Sequence, residues 1–181
     1  MHLYSFCVYA CKGFEILDIG VGICHTVTNK FNLFFDNARF LSDKFNIVPL
    51  LYGSLGLEYL TGDALNADDI DILVPRVFIT DRWLEFKEFL ETQGYALTDE
   101  HEHTFVRGGV SYSYADIEDL ESFAGIHAED IEMREADGVR FLLLSLEQYL
   151  AVYQKSSKDG YRVNVRQKKD ADKIRFIESK L

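Results

Sequence analysis

An alternation of acidic and aliphatic residues at 69–72 limits what this part of the chain can fold into. Side chains of a β-strand point to opposite faces in turn, so Ile70 and Ile72 can enter a core while Asp69 and Asp71 share the other face. Two carboxylates on one face repel each other unless a positive charge lies between them. A hard divalent cation meets this need, because Mg²⁺ prefers oxygen ligands and is often held by one or two carboxylates together with substrate phosphates. The pattern predicts either a magnesium-binding strand or a solvated strand end.

A second pattern lies upstream, where an apolar strand ends at Gly53-Ser54 and a helix follows. Glycine lets the backbone approach a ligand closely, and the N–H groups of a helix start, with the Ser54 hydroxyl, can receive phosphate oxygens. A Gly-Ser pair alone would be an ordinary turn. Its position before a helix, a polar loop and the acidic strand predicts instead that a phosphate-binding turn and metal ligands lie on neighbouring strands.

Hydrophobic periodicity and turn residues predict a mixed α/β fold, in which helices flank a central, mostly hairpin-linked sheet. Asp137-Gly138 is typical of a tight hairpin turn, and Ser145 with Gln148 is typical of a capping box at a helix start. The predicted helices are 30–45, 55–60, 81–92, 145–158 and 167–180. The predicted strands are 47–52, 68–74, 103–107, 110–116, 131–136 and 139–144.

Composition excludes several classes of protein. The 181 residues suit one domain, and 48% hydrophobic residues with 14 Phe, 10 Tyr and only two Pro exclude a disordered chain. The net charge of −11 argues against stable binding to duplex DNA, and no apolar run is long enough to predict a membrane span. All three cysteines lie within the first 24 residues, and their odd number favours free thiols in the cytoplasm over a disulfide framework.

Tyr52-Gly53-Ser54 followed by Asp69-Ile70-Asp71 resembles the signature of the DNA polymerase beta superfamily of nucleotidyltransferases, and the small stand-alone members are the most similar in style. The resemblance covers 30–181 and implies a nucleotidyltransferase-like mixed sheet flanked by helices, with further helices at the C-terminus. Residues 1–29 are then an N-terminal extension. The 14 residues between Ser54 and Asp69 form a wide interval for this family, which leaves Asp68 as an alternative ligand.

The resemblance implies transfer of a nucleoside monophosphate from an NTP to a hydroxyl of a small molecule, an RNA or a protein, with Mg²⁺ or Mn²⁺ as cofactor. In such enzymes a third carboxylate arrives on a later strand. Asp116, which ends the strand after the Gly108-Gly109 turn, matches that position best, and Glu118 is the alternative. Asp69, Asp71 and Asp116 would then be the catalytic residues and the ligands of two metal ions.

The triphosphate also needs cations, which this acidic chain concentrates at its C-terminus. Residues 153–181 contain nine basic and four acidic side chains. This part resembles the C-terminal helical region of small nucleotidyltransferases, and it offers Lys155 and Lys169 as phosphate-binding residues, with Asp170 as an orienting partner. The alternative for each lysine is a solvated helix face.

Two other functions are compatible with the same residues. The chain could have the same fold without its chemistry and bind a nucleotide or a protein partner, for example in a toxin–antitoxin pair. It could also be an acidic interaction module in which the aspartates only keep the surface soluble.

Overall fold

The computed structural model describes residues 29–158 and 163–181, with the side chains of 163–168 excepted. The expectation of an N-terminal extension over 1–29 therefore lies, apart from Asn29, outside the described residues. Asn29 caps the first helix, because its side chain accepts a hydrogen bond from the backbone N–H of Phe31 at 3.0 Å.

The described part of the chain contains six α-helices and seven β-strands. The helices are α1 (Lys30–Phe45), α2 (Gly53–Thr61), α3 (Trp83–Thr92), α4 (Asp119–Ala124), α5 (Leu146–Ser156) and α6 (Val163–Glu178). The strands are β1 (Leu50–Leu51), β2 (Ile70–Val74), β3 (Ala96–Asp99), β4 (Thr104–Arg107), β5 (Val110–Asp116), β6 (Glu132–Ala136) and β7 (Val139–Leu143). Short 3₁₀ turns at Arg76–Phe78 and Ala128–Asp130 complete the fold.

All seven strands form one mixed sheet in the order β3-β4-β5-β2-β1-β7-β6. Hairpins join β3 to β4, β4 to β5 and β6 to β7. Two pairings are parallel, β2 with β5 and β1 with β7, and both bring together strands that are distant in the sequence. The predicted mixed α/β class is confirmed, and the parallel pairings in the middle of the sheet are what the hairpin signals do not predict.

Alternate residues of β2 belong to two hydrophobic cores on opposite faces of the sheet. The first core lies under α1 and α3 and includes Phe34, Leu41, Ile70, Ile72, Phe86 and Tyr114. The second core lies under α4, α5 and α6 and includes Leu57, Leu73, Leu120, Tyr149, Val152 and Ile177. Asp71 is next to Leu73 in the alternation and therefore lies on the face of the second core.

Local signals predicted most element types correctly. The capping box at Ser145 is present, and the hairpin turn has Asp137 and Gly138 at positive φ, as that turn type requires. The predicted strand 47–52 is reduced to β1, and the predicted strand 68–74 begins only at Ile70, so Asp69 lies in a bend before the strand. β3 and α4 were not predicted.

No helix in the described ranges combines the length and the apolar character needed to cross a lipid bilayer.

Candidate functional site

The turn between β1 and α2 lies directly against β2. The backbone N–H of Tyr52 donates to the carbonyl oxygen of Asp71 at 3.0 Å. Gly53 then starts α2 with a φ of +64°, and a Cβ atom there would lie 2.0 Å from Oδ2 of Asp71. Only glycine provides both the positive φ and this space. The structure therefore brings together two residues predicted to form the site, Gly53 and Asp71.

The first turn of α2 supplies hydrogen-bond donors at the same place. Ser54 is the second residue of the helix and is half-buried. The first N–H groups of any helix have no carbonyl partner within the helix, and their dipoles favour negative charge. A phosphate group next to Gly53 would meet these donors and the Asp71 carboxylate together.

The loop between α2 and β2, which leads to the aspartates, is held in place by hydrogen bonds to two charged side chains. Oε1 of Glu58 accepts hydrogen bonds from the N–H groups of Leu65 at 2.9 Å and Ala67 at 2.8 Å. The ammonium group of Lys30 donates to the carbonyl oxygen of Ala67. These contacts fix the chain just before Asp69, which is half-buried two residues ahead of Asp71. Sequence reasoning did not identify Glu58 or Lys30, because a charged residue on a helix face gives no sign of which loop it will hold.

The structure corrects the expectation that Asp116 joins Asp69 and Asp71 around a metal. Asp116 pairs with Val74 in the parallel register of β2 and β5. That position is about 10 Å along the strands from Asp71, at about 3.3 Å per residue, and the alternation puts it on the other face. Its carboxylate binds the guanidinium of Arg76.

Glu118, the alternative third carboxylate, lies beside Asp116 and not beside Asp71. Oε2 of Glu118 accepts the backbone N–H of Arg76 at 2.8 Å. Partial burial opposes ionisation of Asp116, but hydrogen bonds with Glu118 and Arg76 outweigh it and lower the pKa of Asp116. Burial and the bond to Asp116 raise the pKa of Glu118. This cluster closes the far end of β2 and β5.

The two predicted lysines lie in different places. Lys169 in α6 is 3.8 Å from Oδ2 of Asp68, next to Asp69, and both side chains are exposed. Asp68, the alternative ligand, is thus a surface residue with 87% of its side chain accessible. Lys155 instead lines a cleft between α4 and α5 together with Lys158.

Among the described residues, the Asp170 carboxylate contacts Ser156 and neither Lys155 nor Lys169. It is 5% exposed, and its Oδ2 accepts a hydrogen bond from the Ser156 hydroxyl at 2.8 Å. This bond joins α6 to α5 and so helps to hold Lys169 near the aspartate loop.

Comparison with known proteins identifies the family. No family model matches the chain. The Bacillus subtilis protein YnaI, itself described as uncharacterized, is 38% identical over 147 residues, which are 81% of this chain and 94% of YnaI. The chain belongs to the YnaI family.

Solved structures show that this YnaI-family chain has a nucleotidyltransferase fold. It resembles ANT(2'')-Ia, solved in complex with adenylyl-2''-tobramycin, with a TM-score of 0.55 and 14% identity over 84% of this chain and 90% of that one. It also resembles an antigenic nucleotidyltransferase-like protein of Paracoccidioides brasiliensis, with a TM-score of 0.53 and 18% identity over 81% of this chain and 73% of that one. The predicted fold class is confirmed.

The carboxylates of this YnaI-family member include two that could hold a metal ion, Asp69 and Asp71. Among the side chains that the structure describes, no three His, Cys, Asp or Glu residues come together as a metal-binding group. Asp71 provides a carboxylate beside the Gly53 turn, Asp69 lies two residues before it, and Mg²⁺ commonly uses one or two carboxylates with substrate phosphates. The residues present fit a magnesium ion that arrives with a nucleotide.

Tyr149 of α5 supports the turn between β1 and α2. Its hydroxyl donates to the carbonyl oxygen of Leu51 at 3.3 Å, and its ring lies between those of Tyr52 and Tyr153, at 6.5 and 6.3 Å. Complete burial raises the pKa of Tyr149, and the nearby charge of Asp71 adds to this, so the hydroxyl remains a donor. An aromatic residue at helical spacing does not reveal such a role in its sequence.

Proposed function

We propose that the chain is a magnesium-dependent nucleotidyltransferase, which moves a nucleoside monophosphate from an NTP to an acceptor hydroxyl. The observation that carries the proposal is the contact between Gly53 and Asp71: a Cβ at Gly53 would lie 2.0 Å from Oδ2 of Asp71. In this proposal the Gly53 turn binds phosphate and Asp71 binds the metal ion, side by side where β1 ends and β2 begins. The adenylyl-tobramycin in the complex of ANT(2'')-Ia supports this chemistry for a related fold.

Each residue of the site has a distinct part in the proposal. The first N–H groups of α2 and the Ser54 hydroxyl bind phosphate oxygens of the NTP. Asp69 and Asp71 hold Mg²⁺, or Mn²⁺ in its place, and the ion neutralises charge on the triphosphate when bound. Lys169 adds positive charge from α6. The acceptor is a small molecule, an RNA or a protein, and a cytoplasmic location suits the supply of NTP.

Thermal unfolding with each NTP and Mg²⁺ or Mn²⁺ tests the binding step. A ligand that binds only the folded state raises its stability by mass action, by about 2.7 kcal/mol at a hundred times its Kd. We expect this stabilisation in the natural chain and its loss in the double variant Asp69→Asn, Asp71→Asn. Asp116→Asn is the matched control, because it removes a carboxylate from the other end of β2 and β5 and leaves the stabilisation in place.

Incubation with NTP labelled at the α-phosphate tests the transfer step, with an aminoglycoside, tRNA or protein extract as acceptor. Label should enter an acceptor with the natural chain and with Asp116→Asn. Transfer that persists in the Asp69→Asn, Asp71→Asn variant would contradict the assignment of these residues.

A second candidate function is nucleotide binding without transfer, as in a partner-binding member of a toxin–antitoxin pair. The specific observation in its favour is that the residue opposite Asp71 on β5 is Ser113 and not a carboxylate. This function predicts stabilisation by NTP and Mg²⁺ that requires Asp69 and Asp71, with no label in any acceptor.

A further inference from the structure

The position across the sheet from Asp71 is occupied by a serine. In the parallel register of β2 and β5, Asp71 pairs with Ser113. Ser113 in turn pairs with Thr104 of β4, and their hydroxyl oxygens are 3.2 Å apart. Paired residues of adjacent strands lie on the same face about 4.8 Å apart, so side chains at 71 and 113 reach the same space. Thr104, Ser113 and Asp71 thus form a polar row across three strands.

This row contains only one carboxylate. A site that holds two divalent ions about 3.5–4 Å apart needs anionic oxygens to bridge and balance them. A serine hydroxyl is neutral, and the nearest carboxylate farther along β5, Asp116, faces the other side and binds Arg76. The next positions of β5 on the Asp71 face are Ser111 and Ala115, which carry no charge.

We propose that Ser113 sets the metal capacity of the site: with Asp69 and Asp71 it allows one divalent cation per bound nucleotide, and a carboxylate at 113 would complete a site for a second. This inference rests on the proposed nucleotide binding.

Counting bound Mn²⁺ tests the inference without any measurement of transfer. The full chain is saturated with a non-hydrolysable α,β-methylene NTP analogue and titrated with Mn²⁺, and the free ion is measured from its electron paramagnetic resonance signal. We expect one nucleotide-dependent Mn²⁺ per natural chain and two per Ser113→Asp chain. Ser113→Asn, whose side chain has the shape of aspartate without its charge, should bind one Mn²⁺ per chain.

Ala115→Asp is the control for added charge. It puts a carboxylate on the same strand and face, but opposite Leu73 rather than Asp71, and Ala115 is exposed. We expect one Mn²⁺ per chain in this variant. Two ions in Ala115→Asp would mean that net charge, and not position 113, determines the count.

The outcomes separate this inference from the proposed function. One ion in both the natural chain and a folded Ser113→Asp variant would overturn the inference and leave nucleotide binding intact. Two ions in the natural chain would overturn it even if Ser113→Asp does not fold. No nucleotide-dependent Mn²⁺ in the natural chain would overturn the proposed function itself.

Discussion

Gly53 shows how much a single residue contributes to this site, and its replacement separates two costs. In Gly53→Ala, the alanine has to adopt a positive φ, and its Cβ would lie 2.0 Å from Oδ2 of Asp71. Gly62→Ala is the matched control, because Gly62 has a φ of +74° with no atom within 4 Å of its would-be Cβ. In urea unfolding we expect Gly62→Ala to lose about 1 kcal/mol, the cost of the left-handed backbone for a residue with a Cβ. Gly53→Ala should lose at least about 2 kcal/mol more.

The same comparison bears on the site. Gly53→Ala should also abolish stabilisation by NTP and Mg²⁺, whereas Gly62→Ala keeps it. Equal losses of stability in the two variants would show that the contact between Gly53 and Asp71 is not close.

Asn37 gives a second prediction at the scale of one residue. It is completely buried in α1, and its Nδ2 donates to the hydroxyls of Tyr95 at 2.9 Å and Tyr114 at 2.6 Å. Asn37→Leu leaves both hydroxyls without this partner and should lower the free energy of unfolding by about 1–3 kcal/mol. Tyr95→Phe should recover part of that loss in the double variant, as a double-mutant cycle of urea unfolding would show. Independent, additive effects would contradict the contact.

At the scale of elements, α2 is held in place by a close approach to α5 and β1. A Cβ at Gly56 would lie 2.1 Å from the hydroxyl oxygen of Tyr149 and 2.5 Å from the carbonyl oxygen of Leu51. Alanine in an open helix is worth about 0.5–1 kcal/mol more than glycine, but here overpacking of about 1–3 kcal/mol reverses the sign.

We therefore expect Gly56→Ala to be destabilising in thermal or urea unfolding. The double variant with Tyr149→Phe should recover only part of the loss, because the Leu51 carbonyl still obstructs the Cβ. A stabilising Gly56→Ala would mean that α2 and α5 are farther apart than the 2.1 Å approach to Tyr149 indicates.

Elements with local signals could be predicted from the sequence, and those defined by distant partners could not. The Asp137-Gly138 hairpin and the capped start of α5 depend on residues within a few positions of each other. β1 has only two residues, and its pairing with β7 depends on a strand about 90 residues later. Pairing between distant strands leaves little trace in either strand alone.

At the scale of the whole molecule, stability should depend on pH through Asp116 and Glu118 with opposite signs. Because folding lowers the pKa of Asp116, its carboxylate stabilises the folded state at pH values above the ordinary pKa of an aspartate. This stabilisation is lost as the pH falls. Folding raises the pKa of Glu118, so the protonated form of this group stabilises the folded state at low pH. This stabilisation is lost as the pH rises through the raised pKa.

Urea unfolding between pH 3 and 8 checks both signs. Relative to the natural chain, Glu118→Gln should become more stable as pH rises, because it cannot ionise. Asp116→Asn should be less stable near neutral pH, and its deficit should shrink as pH falls. Parallel pH profiles for all three chains would contradict the coupling between these carboxyl groups.

The candidate site was predictable in part for the same reason as the fold. Gly53 and Asp71 lie on elements that follow each other in the chain, and that order is enough to predict that β1 and β2 bring them close together. Asp116 was selected because it ends a strand, but whether it faces Asp71 depends on the register of β5 against β2. A shift of one residue in register changes the face of every side chain, and no local pattern fixes that register between parallel strands.

The outer strand β6 has a consequence for how copies of this molecule behave together. Four of its five residues are exposed, and Arg134 forms an ion pair with Glu132 at 2.6 Å. Charged side chains on an edge strand make the addition of a foreign strand unfavourable. Strand β6 therefore disfavours the strand-by-strand addition that builds fibrils. Concentrated solutions of the protein should not aggregate through this edge of the sheet.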